Sequence, residues 1–138
     1  MKLGFPLLAF ILLLFSNVSC STSKLPGDIY FGSGGGFTGN VTTYTLSPDL
    51  NLYKTESIAQ KKELVTKISK KDLKSVVSLL AKTNLKDITV NKPSNMSQFI
   101  TIKENGKIYT ALWSGKTSEN EAIDKLYAQL IKLLPNQK

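Results

Sequence analysis

Residues 98–113 read QFITIKENGKIYTALW, and this stretch decides the fold class. Residues 98–103 and 107–113 are rich in β-branched and aromatic side chains and alternate as half-buried strands do. They flank Glu104-Asn105-Gly106. Asn-Gly between two such runs is the strongest short hairpin signal, because both residues accept the positive φ of a tight turn. Phe99, Tyr109 and Trp113 occupy hairpin positions, where packing in the core or on a sheet face is expected rather than a ligand platform.

Outward from this hairpin the pattern changes to helical spacing. On the C-terminal side Ser118 can cap a helix, with Glu121 at the box position. Its apolar stripe is Ala122, Ile123, Leu126, Tyr127, Leu130, Ile131 and Leu134, and Pro135 ends it. Glu119, Glu121 and Asp124 open this helix, where negative charge suits the dipole. On the N-terminal side, residues 91–97 read as a loop. Before it, Ser69 caps a second helix with Asp72 as box partner. Leu73, Val76, Val77 and Leu80 recur at i, i+3, i+4 and i+7, and Asn84 is the stop. Further back lie a strand at 64–68, a hairpin over 41–57 turning at Pro48-Asp49, and a brief strand at 28–31. The expectation is an α+β fold: a single antiparallel-rich sheet built from hairpins, with two amphipathic helices packed on one face.

Composition narrows the function classes. The 138 residues are 41% hydrophobic and 20% charged, as in a folded single domain rather than a disordered chain. All 18 basic residues are lysine, and there is no histidine. A nucleic-acid reader usually includes arginine, whose planar fork matches phosphates and guanine edges, so no nucleic-acid partner is expected. A solvated lysine surface is the plain reading of the net charge of +8; binding to an anionic surface is the alternative. Without histidine, and with Cys20 as the single cysteine, neither a Ser-His-Asp or Cys-His site nor a His/Cys zinc site can be built. The expectation is a protein that is not an enzyme and holds no metal and no small-molecule cofactor.

The N-terminus carries a targeting signal. Lys2 is followed by LGFPLLAFILLLF (3–15), a run of 13 uncharged residues. A bilayer span needs about 20 residues, so this run fits the apolar region of a secretory signal instead. Ser16-Asn17-Val18-Ser19-Cys20 resembles the bacterial lipobox, in which a small residue precedes a cysteine whose sulfur receives a diacylglyceryl group. Asn17 departs from the usual leucine of that motif. The alternative is ordinary cleavage after Cys20, with Val18 and Cys20 as the small residues before the cut. The lipobox resemblance implies residues 1–19 as a lipoprotein signal peptide, 20–27 as a lipidated tether and 28–138 as one α+β domain. The partner implied at Cys20 is a membrane. Ser21, rather than Asp, after the cysteine resembles the pattern of outer-membrane lipoproteins, so the expected location is the bacterial cell envelope.

Gly32-Ser33-Gly34-Gly35-Gly36-Phe37-Thr38-Gly39 is the most distinctive stretch of the mature chain. Residues 34–39 match G-x-G-x-x-G, but a dinucleotide loop needs a helix directly after it, and a strand pattern follows here. A Walker loop would need Lys-Ser/Thr where Asn40-Val41 stands. Two readings stay open. The glycines serve backbone geometry, or the loop presents Phe37 to a partner, since neighbouring glycines have no side chains to cover its ring.

Gly35-Gly36-Phe37-Thr38-Gly39 resembles the GGF-small-G signature of emfourin-like proteins, small bacterial inhibitors of thermolysin-type metalloproteases. The resemblance covers about 28–134. It extends to the strands on either side of the motif, a strand leading into the helix after Ser69, the aromatic strand pair and the terminal leucine-rich helix. Extra residues at 50–62 and the lipid anchor depart from it. The resemblance implies that Gly35 to Gly39 approach a protease. The function expected is therefore a membrane-anchored lipoprotein with a small non-catalytic binding domain, in its sharpest form a protease inhibitor; the alternative is a structural or assembly lipoprotein of the cell envelope. Replacing Cys20 with Ser is expected to release the protein from the membrane fraction, and continued membrane retention would put the anchor elsewhere.

Overall fold

The computed structural model describes residues 23–136. The signal segment and Cys20 lie outside the described residues. Six strands form one antiparallel sheet: β1 (Ile29–Gly35), β2 (Val41–Leu46), β3 (Asn51–Glu56), β4 (Lys62–Lys67), β5 (Met96–Glu104) and β6 (Lys107–Ser114). Their order is β4-β3-β2-β1-β5-β6, so the first four make a meander and the β5–β6 hairpin joins its free side at β1. Helices α1 (Lys70–Thr83) and α2 (Glu121–Lys132) complete the α+β fold.

Strand alternation builds the core. Ile29 and Phe31 of β1 stand beside Leu46 and Tyr44 of β2, and beside Ile102 and Ile100 of β5. Leu52, Ala111 and Trp113 extend the same face. Against it pack Leu73 and Val76 of α1 and Ile123, Leu126 and Leu130 of α2, all buried. The helices run antiparallel: the Thr83 hydroxyl meets the Ala122 carbonyl at 3.3 Å, while Ser75 and Leu79 lie beside Gln129. The other sheet face bears Thr43, Thr55, Thr101 and Thr110, the polar surface expected where an antiparallel sheet faces water.

Several boundaries differ from the sequence expectation: β4 spans Lys62–Lys67 rather than 64–68, and β5 starts at Met96, inside the segment expected as a loop. β1 does not stop at residue 31 but continues through Gly34 and Gly35, because β2 and the start of β5 approach its backbone too closely for side chains. The α2 cap is Asn120, not Ser118. Glu119 takes a φ of 65°, which turns the chain so that Asn120 Oδ1 accepts from the N–H groups of Ala122 (3.1 Å) and Ile123 (3.2 Å). Ser118 is buried instead, donating its N–H to Asp124 Oδ1 at 2.7 Å. The fold also begins before residue 28. Leu25 is buried in the core, and the Lys103 N–H donates to the Asp28 carbonyl. The α1 cap agrees with expectation, with the Asp72 N–H donating to Ser69 Oγ at 3.0 Å and Asn84 closing the helix in the left-handed region.

One aromatic pair ties the helix layer to the sheet. Tyr127 packs edge-on against Trp113 with ring centres 5.1 Å apart, and its hydroxyl donates to the Gly32 carbonyl at 3.1 Å. Burial, and then the nearby Tyr44, push the Tyr127 phenol up to about 12. In the unfolded chain it ionises near 10.0. Its contribution to stability is therefore intact below pH 10 and is lost as pH rises from there toward 12. Tyr127→Phe should cost about 1 kcal/mol at neutral pH through the lost hydrogen bond. Melting curves of the variant should fall less steeply than wild type in that alkaline window; parallel declines would show that Tyr127 does not govern it.

Candidate functional site

The glycine stretch forms the end of the β1–β2 hairpin. Gly34 pairs with Val41, and the Gly35 N–H donates to the Asn40 carbonyl at 3.1 Å. The turn is closed by the Gly39 N–H on the Gly36 carbonyl at 3.2 Å, with Phe37 and Thr38 at its apex. Gly39 has a φ of 64°, the left-handed residue that follows such a turn in three-residue hairpin loops. The Thr38 hydroxyl accepts weakly from the Asn40 N–H at 3.4 Å.

This tip is held from both sides. On one side the Gly36 N–H donates to the Asn95 carbonyl, and a Cβ on Gly35 would lie 2.1 Å from that same oxygen. On the other side Ser57, in the β3–β4 turn, acts as a clip. Its N–H donates to the Val41 carbonyl (2.9 Å), its hydroxyl accepts from the Val41 N–H (2.9 Å), and that hydroxyl donates to Asn40 Oδ1 (3.1 Å). Phe37 is fully exposed at the apex of this braced turn. The glycines serve backbone geometry at this tip, as the first of the two sequence readings expects, and the Phe37 ring is exposed. Gly35 allows backbone contact and Gly39 shapes the turn.

Two further apolar side chains reach the surface at the same end of the sheet. Met96, 56% exposed, begins β5 directly opposite Gly35, and Ile58, 69% exposed, follows the Ser57 clip. Three neighbouring elements thus each bring one large apolar group to this end. Sequence reasoning identified Phe37 alone, because Ile58 and Met96 are isolated apolar residues in polar segments and only the strand order brings them beside it. The surrounding charges are mostly paired: Lys54 with Glu56 (2.6 Å), Lys61 with Glu63 (2.8 Å), and Lys92 with Glu119. The Lys61 ammonium, through a hydrogen bond and then its charge, holds the Glu63 carboxyl below the usual range.

Phe37 protrudes from this end, and an apolar cleft of about 270 Å³ lined by Val77, Leu80, Leu85, Ile102 and Tyr109 opens at the opposite end of the sheet. A protruding aromatic on a braced turn can enter a partner's cleft; it cannot enclose a small molecule. Among the described residues no group of three or more Asp, Glu, His or Cys could hold a metal ion, and no helix is long and apolar enough to cross a membrane. No protein-family model matches the chain, and no curated protein matches it either.

Phe37→Ala should leave stability within about 0.5 kcal/mol of wild type, as for other surface substitutions. Gly35→Ala drives a Cβ into a backbone oxygen from a φ of 112° and should cost more than 1 kcal/mol, on the order of other strained-backbone substitutions. Thermal melts of the two variants check this; a large loss in Phe37→Ala would mean that its ring packs into the protein.

Proposed function

We propose that this chain is an exported lipoprotein, held to a bacterial membrane through Cys20, that binds a protein target with the β1–β2 hairpin tip and performs no catalysis. The observation that carries the reading is the complete exposure of Phe37 on a turn braced by Asn95 and Ser57. Leaving a large aromatic in water forgoes the roughly 1.5–3 kcal/mol that burying a large apolar side chain contributes. A rigid turn also loses little conformational freedom on association, which favours binding. Met96 and Ile58 add apolar surface beside the anchor residue, and the paired charges form a polar rim around it.

The target class rests on the resemblance of Gly35 to Gly39 to the signature of emfourin-like inhibitors, which implies a thermolysin-type metalloprotease. The aromatic tip is the part that would enter the protease cleft. Removing such a hot-spot ring typically costs 2 kcal/mol or more, or about 30-fold in affinity. Inhibition of a thermolysin-type protease by the wild-type chain, weakened about that much in Phe37→Ala at unchanged melting temperature, is the expected result. Equal inhibition by both chains would remove Phe37 from the contact. No inhibition by either, together with capture of an outer-membrane or cell-wall complex from envelope extract, would favour the structural or assembly lipoprotein instead.

A further inference from the structure

The two ends of the sheet differ in charge as well as in apolarity. The chain enters the fold at Leu25 to Asp28, beside the last residues of β5 and opposite to the hairpin tip. The β2–β3 and β5–β6 turns lie at this end. So do both ends of α1: the Ile68 N–H donates to the Leu50 carbonyl, and Lys86, two residues after Asn84, pairs with Glu104 at 2.7 Å. Lysines gather here: Lys67, Lys70, Lys71, Lys103 and Lys107 stand at strand ends and at the start of α1. Pairing sharpens the contrast. One of the five ion pairs among the described residues, Lys86 with Glu104, lies here, whereas Lys54–Glu56 and Lys61–Glu63 lie at the hairpin-tip end. Lys24, Lys67, Lys70, Lys71, Lys103 and Lys107 are all exposed and make no ion pair among the described residues. The acids nearby are already engaged: Asp49 accepts from Asn51, Asp72 from Ser69, and Asp28 from Tyr30.

Ile108 adds a second, independent feature. It is 66% exposed, follows Lys107 and pairs across the hairpin with Lys103. An apolar side chain flanked by lysines suits the boundary between headgroups and acyl chains.

We infer that this end is a membrane-facing surface, with its lysines against the anionic headgroups of a phospholipid leaflet and the Phe37 end directed away from it. The inference rests on the membrane-anchored reading of Cys20. Cys20 precedes the buried Leu25 by five residues, a reach of at most about 18 Å. That keeps Leu25 within little more than two Debye lengths of the leaflet at physiological salt, where the Debye length is about 8 Å. Each lysine near such a surface favours association by about fivefold.

Amine footprinting tests the inference on the full chain. The protein, produced with its own signal and purified from membranes, is added to vesicles of phosphatidylcholine alone or mixed with phosphatidylglycerol. A membrane-impermeant acetylating reagent follows, and each lysine is read by mass spectrometry. On anionic vesicles Lys67, Lys70, Lys71, Lys103 and Lys107 should be protected several-fold relative to Lys54, Lys61, Lys62 and Lys116. Protection should fade on neutral vesicles, and in 1 M salt, where the Debye length is about 3 Å. The double variant Lys103→Gln, Lys107→Gln should reduce protection at Lys67, Lys70 and Lys71. Uniform modification of both ends, protection centred on Lys54 and Lys61, or equal protection on neutral vesicles would overturn the inference. The mass of the Cys20 peptide reports the acyl group in the same sample. If that group is absent, the lipoprotein reading fails, while the lysine map still decides whether this face meets the lipid.

Discussion

The sheet depends on backbone meeting backbone along β1. A Cβ on Gly32 would lie 2.0 Å from the Thr42 carbonyl oxygen, and one on Gly35 would lie 2.1 Å from that of Asn95. Side chains at either position would push a neighbouring strand or loop away, and glycine in a strand interior commonly marks such an approach. β1 is the one strand that joins the β1–β4 meander to the β5–β6 hairpin. The Tyr127 hydroxyl reaches the Gly32 carbonyl, so the helix layer is fastened to the same strand. The glycines that weaken β1 by propensity are therefore what let the rest of the fold close around it.

That conflict explains where the sequence was legible and where it was not. The β5–β6 hairpin was readable because Asn105-Gly106 and the flanking residues all favour one geometry. Both helices were readable from their apolar spacing, and one sheet with two helices followed. The extent of β1 was not, because glycine carries no strand signal and the close approach that demands it comes from residues far away in the chain. The cap of α2 was misread for a local reason. Ser118 and Asn120 are both good caps, and the left-handed turn at Glu119 decides between them. At the candidate site Phe37 stood out by its neighbours, whereas Ile58 and Met96 join it through strand order. The lysines were visible as a total, but which of them pair, as Lys54 does with Glu56, and which stand without an ion pair at the opposite end, as Lys103 and Lys107 do, is a property of the folded chain alone.

The sheet's two outer edges are protected in different ways. β4 carries Lys62, Glu63 and Lys67 and a register shift opposite Leu52 and Tyr53, which disrupts a regular ladder. Beyond β6, the Leu112 N–H donates to the Val90 carbonyl and the Lys92 N–H donates to the Leu112 carbonyl, so a short extended segment covers that edge. Addition of a foreign strand is thus discouraged at both edges. This leaves the ends of the sheet as the surfaces for recognition, in keeping with a hairpin tip that projects beyond the last paired residues.

The course of β1 has a mechanical consequence. A pull between the point where the chain enters the fold and the hairpin tip runs along β1, from Leu25 toward Phe37. β1 is bonded to β2 on one side and to β5 on the other over most of its length. Because β1 is already extended between these two points, its covalent backbone carries such a load, and the ladders to β2 and β5 keep it from turning or buckling. The domain is thus built to behave as a stiff strut between its N-terminus and whatever holds its tip.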